Sequence, residues 1–432
     1  MDEPVFTRRM LLQRGCMLAS ALATVPGFIE RSALAMTPEA SSLSSLPGVP
    51  QDRVLVVIQL AGGNDGLNTV VPYGDPNYYR LRPRLALSVP GSNDTRRMGA
   101  ALELAPDLGL GMHAGLAGFK ELYDDGLLSI VQGVGYPNPN RSHFTSQEIW
   151  ESGGMTNRTS GWLGRYFDCT CNGSPQADAA VATGRSAPLA LQGALQVPTC
   201  LDGTKHLGWA GEFAGGNRLK SDRNSLLDAV SASRTSGDSQ RSFLTRSVLD
   251  ANVSSERIVR AASRSPLVAY PGDGLGAQLR TIGAMIRDGF PTRVYYASLA
   301  GFDTHNAQAW NHGSLLESLG KAVSAFQRDL RAQGNDGRVL TLVFSEFGRR
   351  VRENAGAGTD HGAAAPVFLV GPNARPGIHG AHPSLLDLDE GDLRHSTDFR
   401  AIYASILEDW LRAPSAQVLE GAFPNARVVR TT

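Results

Sequence analysis

An α/β fold, with helices on both faces of a mostly parallel central sheet, is what this sequence predicts. Three observations predict it. Short continuous apolar runs rich in Val, Ile and Leu recur along the chain, the pattern of strands buried on both faces. Segments with helical spacing of apolar residues alternate with those runs. Polar, Gly-rich strings carrying carboxylates and imidazoles follow several runs, where open α/β sheets collect their ligands.

The first run is 54–60 (VLVVIQL). Residues 74–111, with many Pro, Gly and Arg residues, read as a surface insertion. A helix is expected over about 113–125, with Leu116, Phe119 and Tyr123 on one buried face and Gly126 as its stop. A second strand follows at 127–132 (LLSIVQ), and Ser142 opens a helix that runs through Trp150. Over 172–275 the pattern weakens: short candidate strands near Leu189 and Val197, then Ser/Arg-rich helical segments over 221–263. That stretch reads as an excursion from the core or a cap on it. The alternation resumes with a helix at 276–288, a strand at 293–299 (RVYYASL) and a long helix ending at 332. Strands at 339–344 and 366–370 and an amphipathic helix at 397–411, capped by Thr397 or Ser396, complete the series. A single domain over 52–432 is the expected organisation.

The N-terminus carries an address rather than structure. Thr7-Arg8-Arg9-Met10-Leu11-Leu12 reads as a twin-arginine export signal, followed by an uncharged stretch over 15–29 and a small-x-small cleavage site at Ala33-Leu34-Ala35. The apolar stretch is shorter than the about 20 residues a membrane span needs. Residues 1–35 are therefore expected to be a signal peptide and 36–51, rich in Ser and Pro, a linker. Expected consequences are an encounter with the twin-arginine translocon during export, a periplasmic or secreted location, and no stable membrane insertion. Beyond Cys16 in the leader, Cys169, Cys171 and Cys200 remain, which allows at most one disulfide, from Cys200 to one of the other two. Zero net charge, with both signs interspersed, leaves no electrostatic footprint for nucleic acid.

Four strings carry chemistry. Gly62-Gly63-Asn64-Asp65-Gly66 follows the first strand; Asp65 is a candidate ligand, although Asn-Asp-Gly is also strong turn chemistry. Asn140-Arg141-Ser142-His143 opens a helix, where unpaired amides favour an alkoxide or an anion. Ser142 is a candidate nucleophile or ligand, Arg141 an anion-orienting group and His143 a base or ligand; a simple Ser N-cap is the plainer alternative. Gly301-Phe302-Asp303-Thr304-His305 offers a carboxylate and an imidazole for one metal, or a capped helix start. In RVLTLVFSEFGRRVRENAGAGTDHG, Glu346 ends a strand and Asp360-His361 follows fourteen residues later. His113, His206, His312, His379, His382 and His395 read as surface or hydrogen-bonded histidines. No Cys-x-Pro-x-Arg string and no Gly-x-Ser-x-Gly elbow occurs, which counts against a formylglycine sulfatase and an α/β-hydrolase.

In order, LVVIQLAGGNDGLN, NRSHFTSQEIW, GFDTH, VFSEFGRR, GTDHG and DFRAIYASILEDWL resemble the exported bacterial family of unknown function numbered fifteen-oh-one. That family is placed in the alkaline phosphatase and sulfatase superfamily. The resemblance implies an alkaline phosphatase-like sandwich holding one or two divalent metal ions. Zinc or manganese is favoured, with magnesium or calcium possible where oxygen ligands dominate. It implies metal ligation by Asp65, Asp303, His305, Glu346 and His361, with Asp360 as a nearby carboxylate and Ser142 as nucleophile. Where the superfamily usually has an Asp-His pair, this chain has Glu346-Phe347. The expected activity is extracytoplasmic, metal-dependent hydrolysis of a small anionic phosphate or sulfate ester. The alternative is a non-catalytic binding protein that keeps the fold around a degenerate site.

Overall fold

Val54–Ala61 forms the first strand, β1, and every residue but its last is buried. Such a strand needs neighbours on both edges and cover on both faces. The computed structural model describes residues 53–94, 97, 99–154, 158–171, 178–184, 186–201, 258 and 260–430. The expected leader, the linker and His206 lie outside the described residues, as does most of the expected 172–275 excursion.

After β1 come β2 (Val70–Val71), α1 (Pro76–Leu81), β3 (Leu102–Ala105), β4 (Leu110–Met112), α2 (Ala117–Asp124) and β5 (Leu128–Gly135). Next are α3 (His143–Ser152), α4 (Trp162–Thr170), β6 (Ala180–Thr183), β7 (Thr199–Leu201), α5 (Gly274–Arg287), β8 (Val294–Ala300) and α6 (Gln308–Gln333). The chain closes with β9 (Val339–Phe344), β10 (Ala365–Val370), β11 (Gly377–His379), a hairpin of β12 (Leu388–Asp389) and β13 (Asp392–Leu393), β14 (Thr397–Asp398) and α7 (Phe399–Ser405).

The main sheet has the order β11-β5-β10-β9-β1-β8-β6-β7, with β14 also pairing β5. β1 runs parallel to both β8 and β9. Only β10 is reversed, pairing antiparallel with β9 and with β5. Alternate residues of β1 serve opposite faces. Leu55 and Val57 join one core with Trp150, Trp162 and Tyr403, beneath α3, α4 and α7. Val54, Val56, Ile58 and Leu60 join the other with Phe119, Ile282, Leu316 and Phe326, beneath α2, α5 and α6. This is the expected α/β sandwich. On the first face Trp150 stacks between Phe344 and Phe399, with ring centroids 5.1 and 4.4 Å away.

Four expectations are corrected. Residues 74–111 are not a surface insertion: β2, β3 and β4 form a small sheet, and Tyr78, Leu81, Leu85 and Leu87 are buried with Arg82. The polar ends inside this unit are satisfied, Tyr78 Oη donating to Asn68 Oδ1 at 2.8 Å. The last helix starts later than Thr397, because Asp398 is its N-cap, accepting from the Arg400 amide at 2.9 Å. The segment near Leu189 is a single 3-10 turn, while the strand expected near Val197 is β7. Finally, no disulfide joins Cys169, Cys171 and Cys200 to one another. Cys169 on α4 and Cys200 on β7 pack as small apolar groups against the first core, and burial raises both thiol pKa values.

Candidate metal centre

The sheet order explains how distant residues meet. β9, β1 and β8 are parallel neighbours, so the loops leaving them share one edge. β5 is parallel to them and leads into α3, while reversed β10 brings its entrance, and the loop holding His361, to that same edge. Four side chains converge there: Asp303 and His305 after β8, His143 at the first position of α3, and His361 before β10.

The hydrogen bonds assign each imidazole the same tautomer. His143 Nδ1 lies 2.9 Å from Glu346 Oε1, His305 Nδ1 lies 3.2 Å from Asp360 Oδ1, and His361 Nδ1 lies 2.8 Å from the Arg141 carbonyl. Carboxylates and carbonyls only accept, so each Nδ1 donates outward and each Nε2 turns inward, a donor to Asp303 when the ring is charged and a ligand atom when it is neutral. All three Nε2 atoms face Asp303 Oδ1. His305 Nε2 and His361 Nε2 are each 3.0 Å from it, and His143 Nε2 is 3.5 Å away. His305 Nε2 also lies 3.0 Å from His361 Nε2, a contact that needs a proton or a cation between the two nitrogens. His143 Nε2 is buried without a hydrogen-bond partner.

These residues fit a metal ion. Ligands 2.0–2.1 Å from one tetrahedral ion lie about 3.4 Å apart, close to the separations of the three Nε2 atoms from Asp303 Oδ1, with His305 outside the tightest set. Ligand atoms of His143, Asp303 and His361 all lie within 4.8 Å of one another. Carboxylates and carbonyls behind the rings are the outer partners that orient metal-bound histidines. The site is also reachable: the side chains of His143, Asp303, His305 and His361 are 28, 48, 38 and 22% exposed.

Glu346 and Asp360 stand behind this cluster rather than in it. Glu346 is buried, and its Oε1 accepts from the Gly62 amide at 2.8 Å as well as from His143. Asp360 accepts from Asn354 Nδ2 at 3.1 Å and from His305; the Asn354 bond is the main reason its pKa is lowered, against the opposing effect of burial.

Asp65 is not brought to the group. It is fully buried, with Oδ2 2.5 Å from Arg82 Nη1 and bonded to Gln308 Nε2. Burial would raise its pKa, but the charge and hydrogen bond of Arg82 hold it below the usual value. Arg141 also departs from expectation: its guanidinium turns to Asp392, at 2.8 Å, and to Glu390, and its carbonyl serves the site instead. Ser142 is the exposed N-cap of α3, and among the described residues no side chain hydrogen-bonds to its hydroxyl. Phe347 packs its ring 4.8 Å from both the His143 and His361 rings, an apolar wall where the resemblance implies a histidine.

Arg349 was not a candidate in the sequence, yet it touches the centre directly, donating to Asp303 Oδ1 at 2.8 Å from a fully buried position. Burial raises the Asp303 pKa, but hydrogen bonds from Arg349 and His361 and the Arg349 charge hold it well below the usual range. The signal was present as Arg349 in VFSEFGRR, three residues after Glu346. Nothing local distinguishes it from Arg350 beside it.

The chain belongs to the family of proteins of unknown function DUF1501, matching it over residues 130–407. No curated protein matches it. Among solved structures it is similar to the lipoteichoic acid synthase LtaP from Listeria monocytogenes, at 7% identity and TM-score 0.38, covering 90% of this chain and 80% of that one. It is similar to the PsFucS1 sulfatase from Pseudoalteromonas sp., at 9% identity and TM-score 0.38, covering 94 and 76%. The C-terminal periplasmic domain of EcEptC from Escherichia coli, in complex with Zn, is similar at 10% identity and TM-score 0.35, covering 76 and 77%.

Proposed function

We propose that the protein is an extracytoplasmic, metal-dependent hydrolase of phosphate or sulfate esters. The observation that carries this reading is the convergence of three Nε2 atoms on Asp303 Oδ1, with every Nδ1 already committed. His143, Asp303, His305 and His361 would hold one divalent cation. Three imidazoles and one carboxylate suit zinc or manganese better than magnesium or calcium, which prefer oxygen shells. A cation bound there supplies Lewis acidity toward the developing charge on the ester's oxygens.

The chain's own part is nucleophile and orientation. Ser142 Oγ, exposed at the N-terminus of the ten-residue α3 beside His143, would attack phosphorus or sulfur. The Oγ bond to that centre would form as the bond to the leaving alcohol breaks, the serine proton passing to the leaving oxygen; water would then break the Oγ bond, releasing phosphate or sulfate and restoring the hydroxyl. Phe347 keeps one side of the centre dry. The twin-arginine string at 7–12 supports export through the translocon and action in the periplasm or outside the cell.

A metal-binding protein without turnover is the second reading, favoured by the absence, among the described residues, of a base on Ser142. Elemental analysis and assays on aryl phosphate and aryl sulfate separate the two. The hydrolase reading expects one equivalent of metal, lost in His361→Ala, and turnover abolished in Ser142→Ala with the metal retained. Metal without turnover selects the binding protein; no metal in the wild type sinks both.

A further inference from the structure

The Gly62-Gly63 pair and Arg349 are left over once the ligands are assigned, and they belong together. Arg349 Nε donates to the Gly63 carbonyl at 2.7 Å, Nη1 to the Thr359 carbonyl at 2.9 Å, and Nη2 to the carbonyls of Gly62 and Phe302, the latter at 3.0 Å. Nη2 also donates to Asp303 Oδ1. The side chain is fully buried, so its donors serve the protein and not a substrate.

Each accepting loop holds one part of the centre. The loop after β1 gives the Gly62 amide to Glu346, which orients His143. The loop after β8 carries Asp303 and His305. The loop before β10 runs Thr359-Asp360-His361, and the backbones of Arg349 and His361 face each other in an antiparallel bridge. The glycines make the approach possible. Gly62 and Gly63 have φ of +120° and +76°, and a Cβ on Gly63 would lie 2.3 Å from the Phe347 ring and 3.3 Å from Arg349 Nε. A Cβ on Gly62 would lie 2.4 Å from the Asp303 amide nitrogen.

We propose that Arg349 is the positioning residue of the metal centre: one guanidinium ties three loops and the Asp303 carboxylate together, so the four ligands are converged before the ion arrives. This rests on the metal-centre reading above. A planar fork with five N–H donors can satisfy such a divergent set of carbonyls; a lysine ammonium cannot.

The test is zinc affinity by chelator competition on the full mature chain, with cobalt(II) absorption as a report of ligand geometry. Arg349→Lys keeps the charge and loses the fork. It should remain folded by circular dichroism, weaken zinc binding about 10–100-fold, the range for outer partners of metal ligands, and shift the cobalt bands. Should the lysine variant fail to fold, Arg349→Gln, which keeps a planar amide donor, carries the same test. Wild-type protein that binds zinc, beside a folded variant with equal affinity and an unchanged cobalt spectrum, overturns the inference alone. Wild-type protein that takes up no zinc overturns the metal reading and the inference with it.

Discussion

Asp65 and Asp303 are nearly indistinguishable as sequence: each is a carboxylate shortly after a core strand, in a string that holds glycine. What separates them is a partner. Arg82, in a Pro- and Arg-rich stretch that reads as surface, reaches back seventeen residues and takes Asp65 into a fully buried ion pair. A pairing set by tertiary packing leaves no local signature. Removing one partner of a buried pair leaves an uncompensated charge, so Asp65→Ala should lower stability by about 3–5 kcal/mol in urea unfolding while the folded protein keeps its metal. Lost metal at unchanged stability would instead make Asp65 a ligand. His143, Asp303, His305 and His361 were legible because imidazoles and carboxylates at strand ends and helix starts are few. Their outer partners were only half legible: Glu346 and Asp360 are visible as carboxylates, but the Arg141 carbonyl and the Arg349 fork are not.

The elements follow the physics of burial. β1, β8 and β9 could be read from continuous apolar runs because both faces of a central strand are covered, and β9 falls on the expected 339–344. α4 and β6 escaped because each is short, and α4 pairs apolar Trp162 and Leu163 with a buried Arg165 whose polar nitrogens bond to backbone carbonyls. α3 joins the two levels: its first residue is a site ligand and its end is anchored by Trp150. That indole is 2% exposed between Phe344 and Phe399. Trp150→Ala should therefore cost about 3–5 kcal/mol, seen as a lower urea midpoint at unchanged slope. A loss under 1 kcal/mol would mean the stack is not what seats α3.

At the scale of the whole molecule, buried histidines set the acid limit. Burial lowers the pKa of His312 to about 3 and of His113 and His382 to about 4, although Asp65 opposes this at His312 and His113 and Asp75 at His382. In the unfolded chain each would titrate near 6.5. The unfolded state therefore binds more protons than the native state across this window, and stability rises with pH. It is complete above about pH 6.5 and is lost progressively as pH falls toward 4, with His312 extending the loss toward 3. Melting temperature followed from pH 7.5 to 4 should fall, and His312→Gln should flatten the slope; a flat wild-type profile would show that these rings are not neutral because of folding.

The reversed strand β10 has a consequence for when the centre comes into being. It lies between β9 and β5 in the sheet and follows both in the chain. Until it slots into that gap, the sheet is two separate pieces, and His361, four residues ahead of it, has no fixed position. On the proposed metal reading, the ability to hold an ion would be a certificate of completed folding. A chain stalled one strand short would carry three of the four ligands and no closed coordination shell.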